Sequence, residues 1–98
     1  MKTNKKISIA ILNESPAYKV LGAYGTAGDS LKAHKVNADA ILLVRDGSIS
    51  YKTSVNEINL TAGGTHHIPS EEIHEVHCET DAKFFLVVPK AAKMIFTK

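Results

Sequence analysis

The chain holds a single cysteine, Cys78, among its 98 residues, so no intrachain disulfide can form. One unpaired thiol suits a reducing compartment and points to the cytoplasm. Long apolar runs are lacking too: ISIAIL, residues 7–12, is interrupted by Asn13 and Glu14. That is too short for a signal-peptide core and far too short to span a bilayer, so no membrane partner is expected. Charge of one sign is also scarce. Twelve basic and ten acidic residues leave a net +2, and part of that excess sits in KTNKK, within residues 1–6, which read as a flexible basic tail. Without a basic stripe or patch, a nucleic-acid partner is not expected. Internal repeats, low-complexity blocks and composition shifts are absent, so residues 1–98 read as one domain with one modest core. The 44% apolar and 22% charged fractions are those of an ordinary globular chain and argue against disorder.

No segment sustains a 3.6-residue period, so little helix is expected. What recurs instead is short apolar segments split by turn residues: KISIAIL, AYKVLGAYG, LKAHKV, AILLVRDG, SISYKT, INLTAGG, THHIP, IHEVHCE, KFFLVVP and KMIFTK. Their spacing, roughly 8–12 residues, is that of a sandwich or barrel. AILLV is apolar at every position, hence on both faces of a strand. Such a strand needs cover on both sides. A second sheet, the N-terminal segment or a partner subunit would have to supply it, and the last of these points to a homodimer.

Four of the five histidines lie in GGTHHIPSEEIHEVHC, Gly63 to Cys78. Alternate residues of a strand face opposite sides. From Ile73 to Glu79 the odd positions are mostly charged, while the even ones are His74, Val76 and Cys78. His74 is therefore expected inside and His77 outside. His66 shares parity with Ile68, so His66 rather than His67 is the inward residue of that pair. A buried imidazole needs a hydrogen-bond partner or a metal. Cys78 lies four residues from His74, about 13 Å along one strand, too far for an activating hydrogen bond.

The spacing Gly63-x5-Pro69-x-Glu71-x2-His74-x3-Cys78 resembles the second motif of the cupin superfamily, G-x5-P-x-G-x2-H-x3-N. Glu71 stands at the motif's glycine and Cys78 at its asparagine. The first motif, G-x5-H-x-H-x3-E-x6-G, is matched in frame by Gly28, His34 and Gly47, with Val36 at the second histidine and Ala40 at the glutamate. Motif one thus covers residues 28–47 and motif two residues 63–78. The resemblance implies an all-β single-domain cupin, a double-stranded β-helix of antiparallel strands in a jelly-roll-like barrel, often dimeric. Metal-binding cupins hold iron, manganese, nickel or zinc with three histidines and one glutamate. Carried over, that set leaves His34 and His74, since Val36 and Ala40 bind no metal. His66 is the third-ligand candidate. Asp39, beside the glutamate position, falls on the other face unless a bulge intervenes.

Two functions follow, with a third behind them. The first is a small-molecule-binding cupin with a pocket lined by His34, Val36, Leu42, His66, His74, Val76 and Cys78. The second is a divalent-metal enzyme of dioxygenase or isomerase type, using His34, His74 and a third ligand. The third is a scaffold for a partner protein. Fold alone cannot choose among them, because function resides in the site.

Overall fold

The computed structural model describes residues 6–97, and every regular element among them is a strand. In chain order these are β1 (Ser8–Glu14), β2 (Tyr18–Gly25), β3 (Ser30–Val36), β4 (Ala40–Asp46), β5 (Ser48–Lys52), β6 (Glu57–Thr61), β7 (Thr65–Ile68), β8 (His74–Cys78), β9 (Ala82–Pro89) and β10 (Met94–Phe96). They form two five-stranded antiparallel sheets, ordered β1-β2-β9-β4-β7 and β10-β3-β8-β5-β6. The all-β expectation holds, and each apolar segment of the sequence supplies one strand. Most of the expected tail, residues 1–5, lies outside the described residues. Lys6 forms an isolated bridge with Ser30.

Alternation decides which side chains meet between the sheets. In β4, Ala40, Leu42 and Val44 are buried, while Ile41 and Leu43 point outward. In β9, Phe84, Leu86 and Val88 are buried, and in β8 His74, Val76 and Cys78 are. Phe84, Leu42, Val44 and Ile49 are wholly removed from solvent. Burying each such side chain contributes roughly 1.5–3 kcal/mol, an upper estimate for an extended unfolded reference. The second cover expected for AILLV does not come from the described residues. β1 joins the edge of the same sheet as β4, and Ile41 and Leu43 remain 45% and 37% exposed.

A bulge in β3 positions the site. Leu31 pairs with Val76 and His34 with His74, so three steps on β3 oppose two on β8. Strict alternation would turn Leu31 and His34 to opposite faces. The extra residue restores both to the interior.

The turns depend on left-handed backbone. Gly28, Gly47 and Gly63 have φ of 92°, 83° and 88°, and among the described residues Glu71, at 72°, is the one non-glycine with positive φ. These are the four glycine positions of the two-motif frame. At Gly47 a side chain would also collide with the Asp81 carbonyl oxygen, whereas a Cβ at Gly63 meets nothing within 4 Å. The two glycines therefore separate strain from crowding. Gly63→Ala is expected to lower the unfolding free energy by about 1 kcal/mol, the cost of left-handed backbone alone. Gly47→Ala should cost at least about 2 kcal/mol, since clash adds to strain. Urea midpoints of the two variants check the order, and equal losses would refute it.

Candidate functional site

His34 and His74 sit directly opposite each other on β3 and β8, each only 2% exposed. Their ring centroids are 4.2 Å apart, edge to face. The contact extends into a row of rings. Phe96 of β10 lies 5.2 Å from His34, Tyr51 of β5 stacks 4.8 Å from His74, and His66 of β7 lies 4.5 Å from Tyr51. Five rings thus form a row from one edge strand, β10, to β7 at the edge of the other sheet, with exposed Phe96 at its outer end.

Each buried imidazole is tied down in the same way. Nδ1 of His34 lies 2.6 Å from the carbonyl of Lys32, and Nδ1 of His74 lies 2.9 Å from the carbonyl of Glu72. A carbonyl only accepts, so both Nδ1 atoms carry the proton and both Nε2 atoms present a lone pair. Neither Nε2 has a protein partner among the described residues, and none of those residues has a sealed, unpartnered side-chain nitrogen, so both reach accessible space. Burial pushes both rings below the ordinary value of 6.5, partly offset by the carbonyl bonds. His34 and His66 lower the proton affinity of His74 further. The pair is neutral at pH 7.

Two residues of the row were not read as site residues from sequence, Tyr51 and Phe96. Tyr51 donates a 2.6 Å hydrogen bond to Glu72 Oε1, and burial with that carboxylate raises its phenol pKa. Nothing in SISYKT marks the contact of Tyr51 with His74. Glu71 turns away and pairs with Lys35 at 2.9 Å. Asp39 is occupied in the loop, accepting from the Ser70 backbone N–H at 2.8 Å and facing the exposed His67 at 3.7 Å. His77 lies on the outer face against Glu75.

Cys78 shares the inward face with His74 but lies at the other end of β8. A Cβ on Gly25 would meet its Sγ at 2.7 Å, with Ile7 and Asp29 alongside. Burial, with Asp29 and Asp81 nearby, pushes its thiol up to about 11. An inert buried thiol follows.

A large cavity is displaced from the expected pocket. It occupies about 1110 Å³ between the β1-β2-β9 side of one sheet and the β10-β3 side of the other. Of the seven expected lining residues only Val36 touches it. Leu42, Val76 and Cys78 are packed into the core instead. The physical reason is filling: Tyr51, Ile68, Leu42 and Val76 occupy the centre of the barrel, and room remains where the sheets diverge. The histidine row meets the cavity at Phe96, which lines it.

The donors do not fit the four-ligand set of metal-binding cupins. Val36 and Ala40 occupy two ligand positions, and among the described residues no three His, Cys, Asp or Glu side chains converge as a metal would require. His66 approaches the pair through Tyr51.

No protein-family model and no curated protein matches the chain in sequence. Solved structures do match in shape. A cupin superfamily protein from Desulfitobacterium hafniense is 14% identical, with a TM-score of 0.79 over 92% of this chain and 83% of that one. A double-stranded β-helix protein from Klebsiella pneumoniae is 14% identical, with a TM-score of 0.80 over 99% and 90%. The polyketide cyclase RemF from Streptomyces resistomycificus is 14% identical, with a TM-score of 0.83 over 96% and 72%. The fold is the double-stranded β-helix of the cupins. At these identities the likeness is one of fold.

The lowered imidazole pKa values make stability depend on pH. Unfolded imidazoles titrate near 6.5 and the folded pair below it, so between those values the unfolded chain binds more protons. Stability should therefore be level above about pH 7.5 and fall as pH drops through the imidazole range, by at most about 1.4 kcal/mol per pH unit for each ring. Urea midpoints at successive pH values check this. A His34→Gln/His74→Gln variant should lose most of the slope, and an unchanged slope would refute the assignment.

Proposed function

We propose that this protein binds a small molecule in the inter-sheet cavity, as a cupin without a built metal centre. The observation that carries this is the cavity: about 1110 Å³, framed mostly by aliphatic side chains, with Phe96 among its lining residues. That volume is at the upper end for small-molecule sites, which join an apolar lining to a few polar groups. A polyketide cyclase shares the fold, which supports an organic ligand for such a barrel. The cytoplasm is the proposed compartment, from the single buried thiol.

The proposal extends to a homodimer. On the outer face of the β1-β2-β9-β4-β7 sheet, Val20, Val87 and Ile41 lie side by side, and Leu43 adjoins Phe85. This is the side of AILLV that the described residues leave uncovered, and a second copy would supply the cover. An apolar patch of this kind favours association.

Three measurements test these statements. The neutral apolar dye Nile red should bind with a micromolar dissociation constant, and Ala92→Phe, which fills the cavity, should weaken it about tenfold. Absence of dye binding would sink the cavity as the site. Elemental analysis of untreated protein should find far less than one divalent metal per chain. A stoichiometric metal lost in both His34→Ala and His74→Ala would favour the enzyme alternative. Sedimentation should give a dimer that Leu43→Lys converts to monomer; a monomeric wild type would remove that part.

A further inference from the structure

We infer that the ligand of the inter-sheet cavity is an amphipathic anion, an apolar body ending in a negatively charged headgroup. This rests on the cavity being the ligand site. Its lining divides by chemistry. Ile9, Leu21, Leu31, Leu86, Val88 and Met94 make an apolar interior, while the charged lining residues are Lys6, Lys19, Lys32 and Lys93. Aspartate and glutamate do not line it. The chain as a whole carries ten acids against twelve bases, so four cations without an acid depart from the mixed surface that this composition would supply.

These lysines come from separate parts of the fold: before β1, on β2, in the β3 bulge and before β10. Only the folded chain brings them together. Among the described residues none of the four is in a salt bridge, whereas Lys35 and Lys90 are paired with Glu71 and Glu14. Lys19 donates to the Ala92 carbonyl at 3.3 Å, and the carboxylate that feels it, Glu14, is already 2.7 Å from Lys90. Lysine stems lie along apolar surface while the ammonium stays in water. The four cations would therefore stand at the mouth and the aliphatic groups inside. Gathered cations repel one another, and an anion relieves that repulsion. A cationic ligand would add to it.

The same charge argues against other occupants. Residues 1–5 bring Lys2 and Lys5 and no acid. A second copy related by symmetry would set its own lysines against these.

Displacement of Nile red from the full chain at low ionic strength tests the inference, with dodecanoate, dodecyl phosphate, dodecanol and dodecyltrimethylammonium as competitors below their micelle concentrations. Dodecanoate, dodecyl phosphate or both should displace the dye at about tenfold lower concentration than dodecanol. The comparison between the two anions identifies the headgroup. The advantage should shrink in about 0.5 M salt, where screening is nearly complete within a few ångströms. In Lys19→Met/Lys93→Met the ratio should fall toward one. Lys6→Met/Lys32→Met, which leaves the Lys19–Ala92 contact in place, gives the same measurement should the first variant fail to fold. Equal displacement by dodecanol overturns the anion class while the cavity survives as a site. So does a preference that persists in both lysine variants. Dye that never binds overturns the cavity itself. Binding to anionic vesicles with no displacement by any free amphiphile, or displacement coupled to dissociation of a dimer, would assign the lysines to a membrane or to a second copy and overturn the inference.

Discussion

Two buried imidazoles, each with its one ring N–H spent on a backbone carbonyl two residues earlier, set the terms for this interior. Burying a polar group without a partner costs several kcal/mol in an apolar medium. The carbonyls of Lys32 and Glu72 remove that cost for one nitrogen of each ring and orient the other. The same bonds settle the charge. Gaining a second proton would place a cation in a dry interior beside another imidazole, and burial resists that. The result is a neutral acceptor pair, held by the β3 bulge and by the turn that leads into β8.

The backbone frame and the chemistry have separate determinants here. Left-handed residues stand at positions 28, 47, 63 and 71, and the strands between them take their places in the two antiparallel sheets. At position 71 the conformation persists although the residue is glutamate. Its backbone N–H donates to the Val36 carbonyl at 2.8 Å and its side chain reaches Lys35, contacts that oppose the strain. By contrast, Val36 and Ala40 are aliphatic where the metal-binding pattern has donors, and both are buried as core residues. Turn geometry is a requirement of the fold. Ligand identity is a requirement of one use of it, and the fold stands without that use.

Strand placement was legible because it is local. Each apolar segment bounded by turn residues became a strand, and parity alone assigned His74 and His66 inward and His77 and His67 outward. The cupin resemblance carried over His34 and His74, forty residues apart, as one ligand pair, and the structure sets them opposite each other on neighbouring strands. Three features were not legible, and each is tertiary. The bulge between Leu31 and His34 has no glycine or proline to mark it. The Tyr51 contact depends on the stagger of β5 against β8, in which Tyr51 opposes Val76 rather than His74. The cavity depends on volume, since seven residues of correct parity do not form a pocket if large side chains from the facing sheet fill the space between them. Phe84, Leu86 and Ile68 do so. Parity tells which way a side chain points. It does not tell whether anything stands in front of it.

The distribution of charge ties the neutral pair to the cavity. An ion in a low-dielectric interior is costly, whereas at a wetted rim it is tolerated. Here lysines line the cavity, the buried imidazoles lie outside its lining, and Phe96 touches both the cavity and His34. A ligand bound between the sheets, as proposed, would meet the lysines and the aliphatic groups of the lining, and a charged headgroup would find its partners among the lysines. Placing those cations inside instead would need four buried ammonium groups without carboxylates. No core of this size could support that against a net stability of only about 5–15 kcal/mol. The separation into cationic rim and neutral interior is thus as much a condition for folding as a property of the site.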